Sequence, residues 1–292
     1  MANPVVACSD GAGNVIAVGK KVSEFTVGDK VCTLFNQKHQ AGPITAEAVA
    51  TGLGGGLDGT LRKFGVFPET GLVLAPSNVT PDEAGTLPCA PLTAWNALYG
   101  LESKGLRAGD TVLTQGTGGV ATAAIQFAKA AGASVIATTS SKEKGDLLKK
   151  LGADVVINYK EDTNWGETAK RLSPGKAGVD HVIEVGGPGT MQQSMKAIKM
   201  EGVITVIGFL GGATAENTPS TLDALTHCCT VRGILVGSRL QFQAMNRCID
   251  ANNIHPVVDK NTFPFEKAVD AYQYQWDQKH FGKVVIQLGR LE

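Results

Sequence analysis

From about residue 105 onward, short runs of consecutive apolar and β-branched residues alternate with longer stretches whose apolar positions recur every three or four residues. DTVLTQG, ASVIATTSS, ADVVINY, VDHVIEVGG, GVITVIGFLGG and CTVRGILVG have the first pattern, and GVATAAIQFAKAAG, KEKGDLLKKLGA, NWGETAKRL and GTMQQSMKAIKMEG have the second. Strands separated by helices join through crossovers, so this alternation predicts an α/β domain with a doubly wound parallel sheet covered by helices on both faces.

The first ninety residues read differently. GNVIAVG, GDKVCTLF, KFGVFPE and GLVLAP are strand-like runs joined by Gly- and Pro-rich turns, which predicts a small β-rich barrel or sandwich. After the last parallel strand come an amphipathic stretch, SRLQFQAMNRCIDANN, a helix starting near Phe265 and a closing strand, GKVVIQL. This tail is assigned back to the first domain. The expected division is therefore residues 1–91 with 240–292 as a β-rich domain, and residues 92–239 as a nucleotide-binding domain.

Composition narrows the partners. Of 292 residues, 43% are hydrophobic and 18% charged, below the roughly 25% charged typical of soluble domains. Lys plus Arg equals Asp plus Glu at 27 each, with no long basic run, so nothing electrostatic points to nucleic acid or a membrane surface. A small molecule is the expected partner. Six cysteines form no C-x-x-C pair, which fits a reducing compartment. The start, MANPVVACSDG, lacks the pattern of a signal peptide, and no run of 18 apolar residues occurs. The expected location is the cytoplasm.

In TVLTQGTGGVATAAIQFAKAAG, a strand ends at Gly116 and a helix begins near Gly119. Gly116, Thr117, Gly118, Gly119, Val120 and Ala121 match G-x-G-x-x-G/A in the strand-to-helix context that a dinucleotide requires. Gly116 permits the tight turn, Gly118 lets a pyrophosphate approach the backbone, and Ala121 allows the helix to pack closely while its N-terminal amides face the anion. An NAD site expects Asp or Glu about 20 residues on, to bind the ribose hydroxyls. Here the chain has Thr138, Thr139, Ser140, Ser141 and Lys142, without a carboxylate. Hydroxyls and an ammonium suit a 2′-phosphate, so NADP(H) is the expected cofactor. Ser141 also reads as the cap of the helix starting at Lys142.

Together, CSDGAGNVIAVG, VGDKV, GTLPCAPLTAWNALYG, QGTGGVATAAIQFAKAAGASVIATTSS, LGADVVINYKED and HFGKVVIQL resemble the medium-chain dehydrogenase/reductase superfamily, in particular its zinc-independent, quinone-oxidoreductase-like members. The resemblance implies a Rossmann-like domain inserted between the two parts of a GroES-like catalytic domain. It implies that Lys142 and Tyr159 lie near the 2′-phosphate. It places the backbone at Gly186, Gly208, Phe209 and Leu210 by the nicotinamide, and Phe281, Gly282 and Lys283 over the same site. It also implies a homodimer through TVRGILVG.

Zinc-dependent relatives carry a G-H-E triplet where this chain has Cys8-Ser9-Asp10. Cys89 alone matches a ligand position, and a catalytic zinc needs three protein ligands, so no metal is expected. His227-Cys228-Cys229 is read as part of a strand, with adjacent side chains on opposite faces. The resemblance also implies β-structure ahead of CSDGAG that this sequence does not include, with one wall of the substrate pocket in it.

The function this implies is metal-free, NADPH-dependent reduction of a conjugated carbonyl or quinone. An acceptor activated by conjugation needs no Lewis acid. Trp95, Phe64 and Phe281 are candidate apolar walls, and no catalytic side chain is identified. Two other classes stay open: a cofactor-binding protein without hydride transfer, such as an isomerase or cyclase, and a zinc-free alcohol dehydrogenase or carbonyl reductase.

Overall fold

Glycine and proline break the first part of the chain into short elements. The structure, a computed structural model, describes residues 4–212 and 219–289, and it divides into two units, Met1–Leu92 with Val236–Glu292, and Thr93–Leu235.

In the first unit, β1 (Ala12–Asn14) and β2 (Lys30–Thr33) are followed by a one-turn helix, α1 (Ala46–Val49), then by β3 (Leu72–Leu74) and α2 (Pro81–Ala84). The strands form an antiparallel sheet in the order β1-β2-β3, with Cys32 opposite both Ala12 and Val73. Of the four strands expected here two form, β2 within GDKVCTLF and β3 within GLVLAP. KFGVFPE is irregular, and only Asn14 of the GNVIAVG run outlasts its first glycine in a strand. Pro68 has no amide to give a ladder, and Gly65 weakens a strand interior. Side chains bond the loops instead: Gln37 Nε2 donates to the carbonyls of Leu34 (2.5 Å) and Gly71 (3.1 Å).

The second unit opens with α3 (Ala90–Tyr99), whose first residues still belong to unit one. It then runs β4 (Thr111–Gln115), α4 (Gly119–Ala130), β5 (Ser134–Thr139), α5 (Lys142–Leu151), β6 (Val155–Asn158), α6 (Trp165–Leu172), β7 (Val179–Glu184), α7 (Pro188–Ala197), β8 (Ile198–Val206), α8 (Thr221–Thr226) and β9 (Thr230–Gly233). All six strands are parallel, in the order β6-β5-β4-β7-β8-β9. Chain order reverses at β4, and in sheets of this kind ligands bind beyond the strand C-termini at that switch.

Every residue of β4 is buried. Leu113, Ile136, Ile157, Val182 and Ile204 from five strands pack with Trp165 and Met195 from two helices. Each fully buried side chain of this kind contributes about 1.5–3 kcal/mol. The GTMQQSMKAIKMEG pattern overran its helix: α7 stops at Ala197 because Ile198 pairs with Val179 and enters the sheet. His227, Cys228 and Cys229 are not in a strand, as had been expected, but in the turn after α8. There His227 is the C-cap and Cys228 has φ +46°.

The chain ends in unit one with α9 (Arg239–Ala251), β10 (Val258–Pro264), α10 (Ala268–Trp276) and β11 (Lys283–Gln287). Helix α9 buries Phe242, Met245, Asn246 and Ile249, a spacing of three and four that marks one face. Asn246 Nδ2 donates to the Leu74 carbonyl at 2.8 Å, which ties this helix to β3. Strands β10 and β11 pair in parallel. Among the described residues, no helix is long and apolar enough to cross a membrane.

Candidate functional site

The glycine turn leaves β4 at its C-terminal end. Gly116 has φ +75°, in the left-handed region, and its N–H donates to the Thr138 carbonyl at 2.8 Å, so the turn stays joined to β5. A Cβ at Gly116 or at Gly118 would meet nothing within 4 Å. Gly118 is the N-cap of α4 and offers no side-chain cap. The 12-residue helix therefore starts with uncapped amides facing open space. Thr117, Gly119 and Val120 are half-buried around this start, and Ala121 is buried. A space that one methyl per glycine would begin to fill, at the positive end of a helix, fits a pyrophosphate.

At the neighbouring strand end, Thr139 is buried, and its hydroxyl accepts the Ser141 N–H at 3.3 Å, shaping the turn into α5. Ser140 is half-buried, Lys142 is exposed and Tyr159 is 40% exposed. The Tyr159 N–H donates to the Thr139 carbonyl at 3.0 Å, which brings INYK alongside this turn. Ser141 caps α5 through Lys144 N, and its hydroxyl donates to Glu143 Oε2 at 2.6 Å. That hydrogen bond holds the Glu143 carboxyl below the ordinary glutamate value. The stretch 138–142 lacks a carboxylate of its own but has one beside it, because the first helical turn curls Glu143 back onto its own cap.

The turns after β7 and β8 meet next to the glycine turn. Gly186 is buried, and Gly187, at φ +82°, lies so close to the next loop that a Cβ would fall 2.8 Å from Phe209 Cα. Leu210 N donates to the Val185 carbonyl and Gly211 N to the Gly186 carbonyl, at 3.1 and 2.9 Å. Gly208 is half-buried in this loop, while Phe209 and Leu210 are exposed. Beneath them is a group the sequence reading missed: Glu184, fully buried, with Gln115, Thr190 and Ser194 around it. The available signal was an acid inside the apolar run VDHVIEVGG, directly before two glycines.

Phe281, Gly282 and Lys283 belong to unit one. Phe281 N donates to Asp259 Oδ2 at 2.8 Å, and Gly282 has φ +75° with Val257 packed where a Cβ would go. Lys283 Nζ pairs with Asp10 Oδ2 at 3.3 Å. Burial alone would lower the Lys283 ammonium, but the Asp10 carboxylate and the neighbouring Cys89 and Cys8 outweigh it and leave its pKa above the ordinary lysine value. Next to this pair, Cys8 Sγ lies 3.2 Å from Tyr272 Oη, and burial together with that contact pushes the phenol up to about 12. Ser9 Oγ donates to Asp10 Oδ1 at 2.7 Å, so the triplet that replaces G-H-E is bonded within itself and to the C-terminal segment. Among the described residues, no group of three His, Cys, Asp or Glu side chains could hold a metal ion.

Of the three candidate apolar walls, Trp95 packs edge-on against Phe127 with ring centroids 5.4 Å apart, Phe64 is exposed and Phe281 is half-buried.

A parallel sheet with a glycine turn at its switch point, joined to a β-rich unit made from both chain ends, defines a two-domain oxidoreductase. Residues 1–77 match the alcohol dehydrogenase GroES-like domain and residues 119–251 the zinc-binding dehydrogenase domain. A zinc-type alcohol dehydrogenase-like protein of Schizosaccharomyces pombe is 46% identical over 98% of this chain and 82% of its own length. An NADPH-dependent alkenal/one oxidoreductase of Arabidopsis thaliana is 30% identical over 97% of this chain, which spans 64% of that relative. A crystal structure of an alcohol dehydrogenase from Sinorhizobium meliloti superposes with TM-score 0.89 at 41% identity, over 99% of this chain and 83% of the other. The chain belongs to the medium-chain dehydrogenase/reductase superfamily.

Proposed function

We propose that this protein is an NADPH-dependent reductase that works without a metal, on a small conjugated carbonyl compound or quinone. The observation that carries the reading is the open space over Gly116 and Gly118 at the uncapped start of α4, next to a β5 end that carries Ser140, Ser141 and Lys142. Gly116 to Val120 would hold the pyrophosphate, and Ser140, Ser141, Lys142 and Tyr159 the adenosine 2′-phosphate. Gly186, Gly208, Phe209 and Leu210 would face the nicotinamide. When bound, the cofactor supplies a hydride. The remaining chemistry falls to the protein: orienting the acceptor, and donating a hydrogen bond where enolate charge develops. The Cys8-Ser9-Asp10 triplet offers no imidazole ligand, so a substrate activated by its own conjugation fits these residues better than an unactivated alcohol. The alkenal/one relative supports both the cofactor and the substrate class.

Glu143 favours a second reading on the cofactor alone. With its carboxylate on Ser141, a ribose carrying free hydroxyls would find an acceptor there, and NADH would compete. Edge strand β9 and the segment after it, with Val231 and Leu235 each about two-fifths exposed, support a homodimer, which a mass measurement in solution tests.

The deciding experiment follows NADPH absorbance with the purified chain against enones, quinones and aldehydes, with NADH in parallel. Oxidation that favours NADPH with enones or quinones supports the proposal. Bound but unoxidised NADPH across the panel overturns it in favour of a non-redox role, and turnover of simple alcohols with NADP⁺ overturns the substrate class.

A further inference from the structure

Glu184 is an acid with no solvent exposure at the end of a strand whose other buried residues are Val179, His181, Val182 and Ile183. A carboxyl withdrawn from water has to be met by donors, and this one faces five. Oε2 accepts from Gln115 Nε2 at 2.7 Å and from Ser194 Oγ; Oε1 accepts from Thr190 Oγ1 at 2.5 Å and from Gly186 N and Gly187 N, each at 2.9 Å. An apolar residue would fill the same volume without demanding any of these partners, so filling the core does not account for the acid.

Its position does. The backbone ladder between β4 and β7 ends at Thr114 and Ile183. One residue further, side chains take over: Gln115 gives its Nε2 to Glu184, and its Oε1 accepts Val185 N and Gly186 N, both at 3.1 Å. Gln115 is the last residue before the Gly116 turn. Gly186 and Gly187 form the turn after β7, and the loop after β8 hangs from the carbonyls of Val185 and Gly186. A single buried carboxylate therefore links the ends of β4 and β7 directly, and the loop after β8 through the turn after β7, all at the C-terminal end of the sheet.

We propose that Glu184 is a positioning residue for the nicotinamide half of NADP(H), holding the turns at Gly186 and Gly208 against the end of β4 without touching the cofactor. This rests on the cofactor reading above. It assigns a purpose to Ser194 and Thr190 as well: each supplies one donor that keeps the carboxylate aimed at the turn amides.

The test compares NADPH with 2′,5′-ADP, which carries the adenosine half alone, in direct titrations of the wild type and of E184Q. The carboxamide keeps the shape but turns one acceptor into a donor that faces other donors. The expected result is NADPH binding weakened about tenfold or more, with 2′,5′-ADP held within about twofold, as misplaced support for one half of a ligand predicts. Unchanged NADPH affinity, or an equal loss for both ligands, overturns the proposal. A wild type that binds no NADPH overturns the cofactor reading and this proposal with it. If circular dichroism shows E184Q unfolded, S194A and T190V each remove one donor, and each is expected to weaken NADPH about fivefold while sparing 2′,5′-ADP. NADPH affinity unchanged in both overturns the proposal.

Discussion

The two units build polar sites in opposite ways. In the nucleotide unit the site is backbone: glycines, strand ends and a helix start, all within a few residues of a motif. In the β-rich unit it is side chains drawn from the two ends of the chain, Asp10 with Lys283 and Cys8 with Tyr272. A site made of backbone is spoiled by a side chain added where the ligand would sit. A site made of paired side chains tolerates changes in shape but depends on each partner remaining present.

That contrast breaks most sharply at Gly118. Its φ of −78° is open to any residue and its surroundings are empty, so G118V is expected to fold normally and lose NADPH binding by about a hundredfold, since the branched side chain enters the anion's place. Isothermal titration alongside thermal melting checks this, and a large loss of stability would show the space to be structural. In the other unit the effect should fall on stability. D10A strands the partly covered Lys283 ammonium and is expected to cost about 1–2 kcal/mol in urea unfolding, between the values for exposed and buried pairs. A cost near zero would show the pair to be fully solvated.

A smaller effect is expected where the two modes meet. E143Q removes the carboxylate from the Ser141 cap and should raise the NADPH-to-NADH affinity ratio about threefold, by lifting repulsion from a screened, exposed acid. A fall in that ratio would mean that Glu143 aids 2′-phosphate binding. The smallest concerns the far end of the nucleotide sheet. His181 is buried, 3.8 Å from Asp110, and burial lowers its pKa below 6.5 although Asp110 and Asp180 oppose that and Lys199 reinforces it. A depressed histidine lends stability above its unfolded pKa and loses it as pH falls through that value toward the folded one. H181Q should therefore melt with a shallower decline between pH 7 and 5 than the wild type. Parallel declines would remove this histidine from the acid response.

Much of the nucleotide unit was legible along the chain. The glycine turn, α4 and all six strands follow from patterns that repeat over neighbouring residues, because a buried parallel strand has to be apolar on both faces and a helix shows its period. Less was legible in the first ninety residues, where turns dominate and short apolar runs such as KFGVFPE find no strand to pair with.

The sequence by itself determined the class of fold, the glycine turn between β4 and α4 and the absence of an imidazole from the triplet at Cys8-Ser9-Asp10. Only the tertiary structure decided that Glu184 meets donors from Gln115, Gly186, Gly187, Thr190 and Ser194, that Glu143 folds back on Ser141 and that Lys283 reaches Asp10. The physical reason is range: periodicity and turn chemistry act over a few residues, whereas the partners of a buried charge are chosen by packing, which brings together residues that the chain holds far apart.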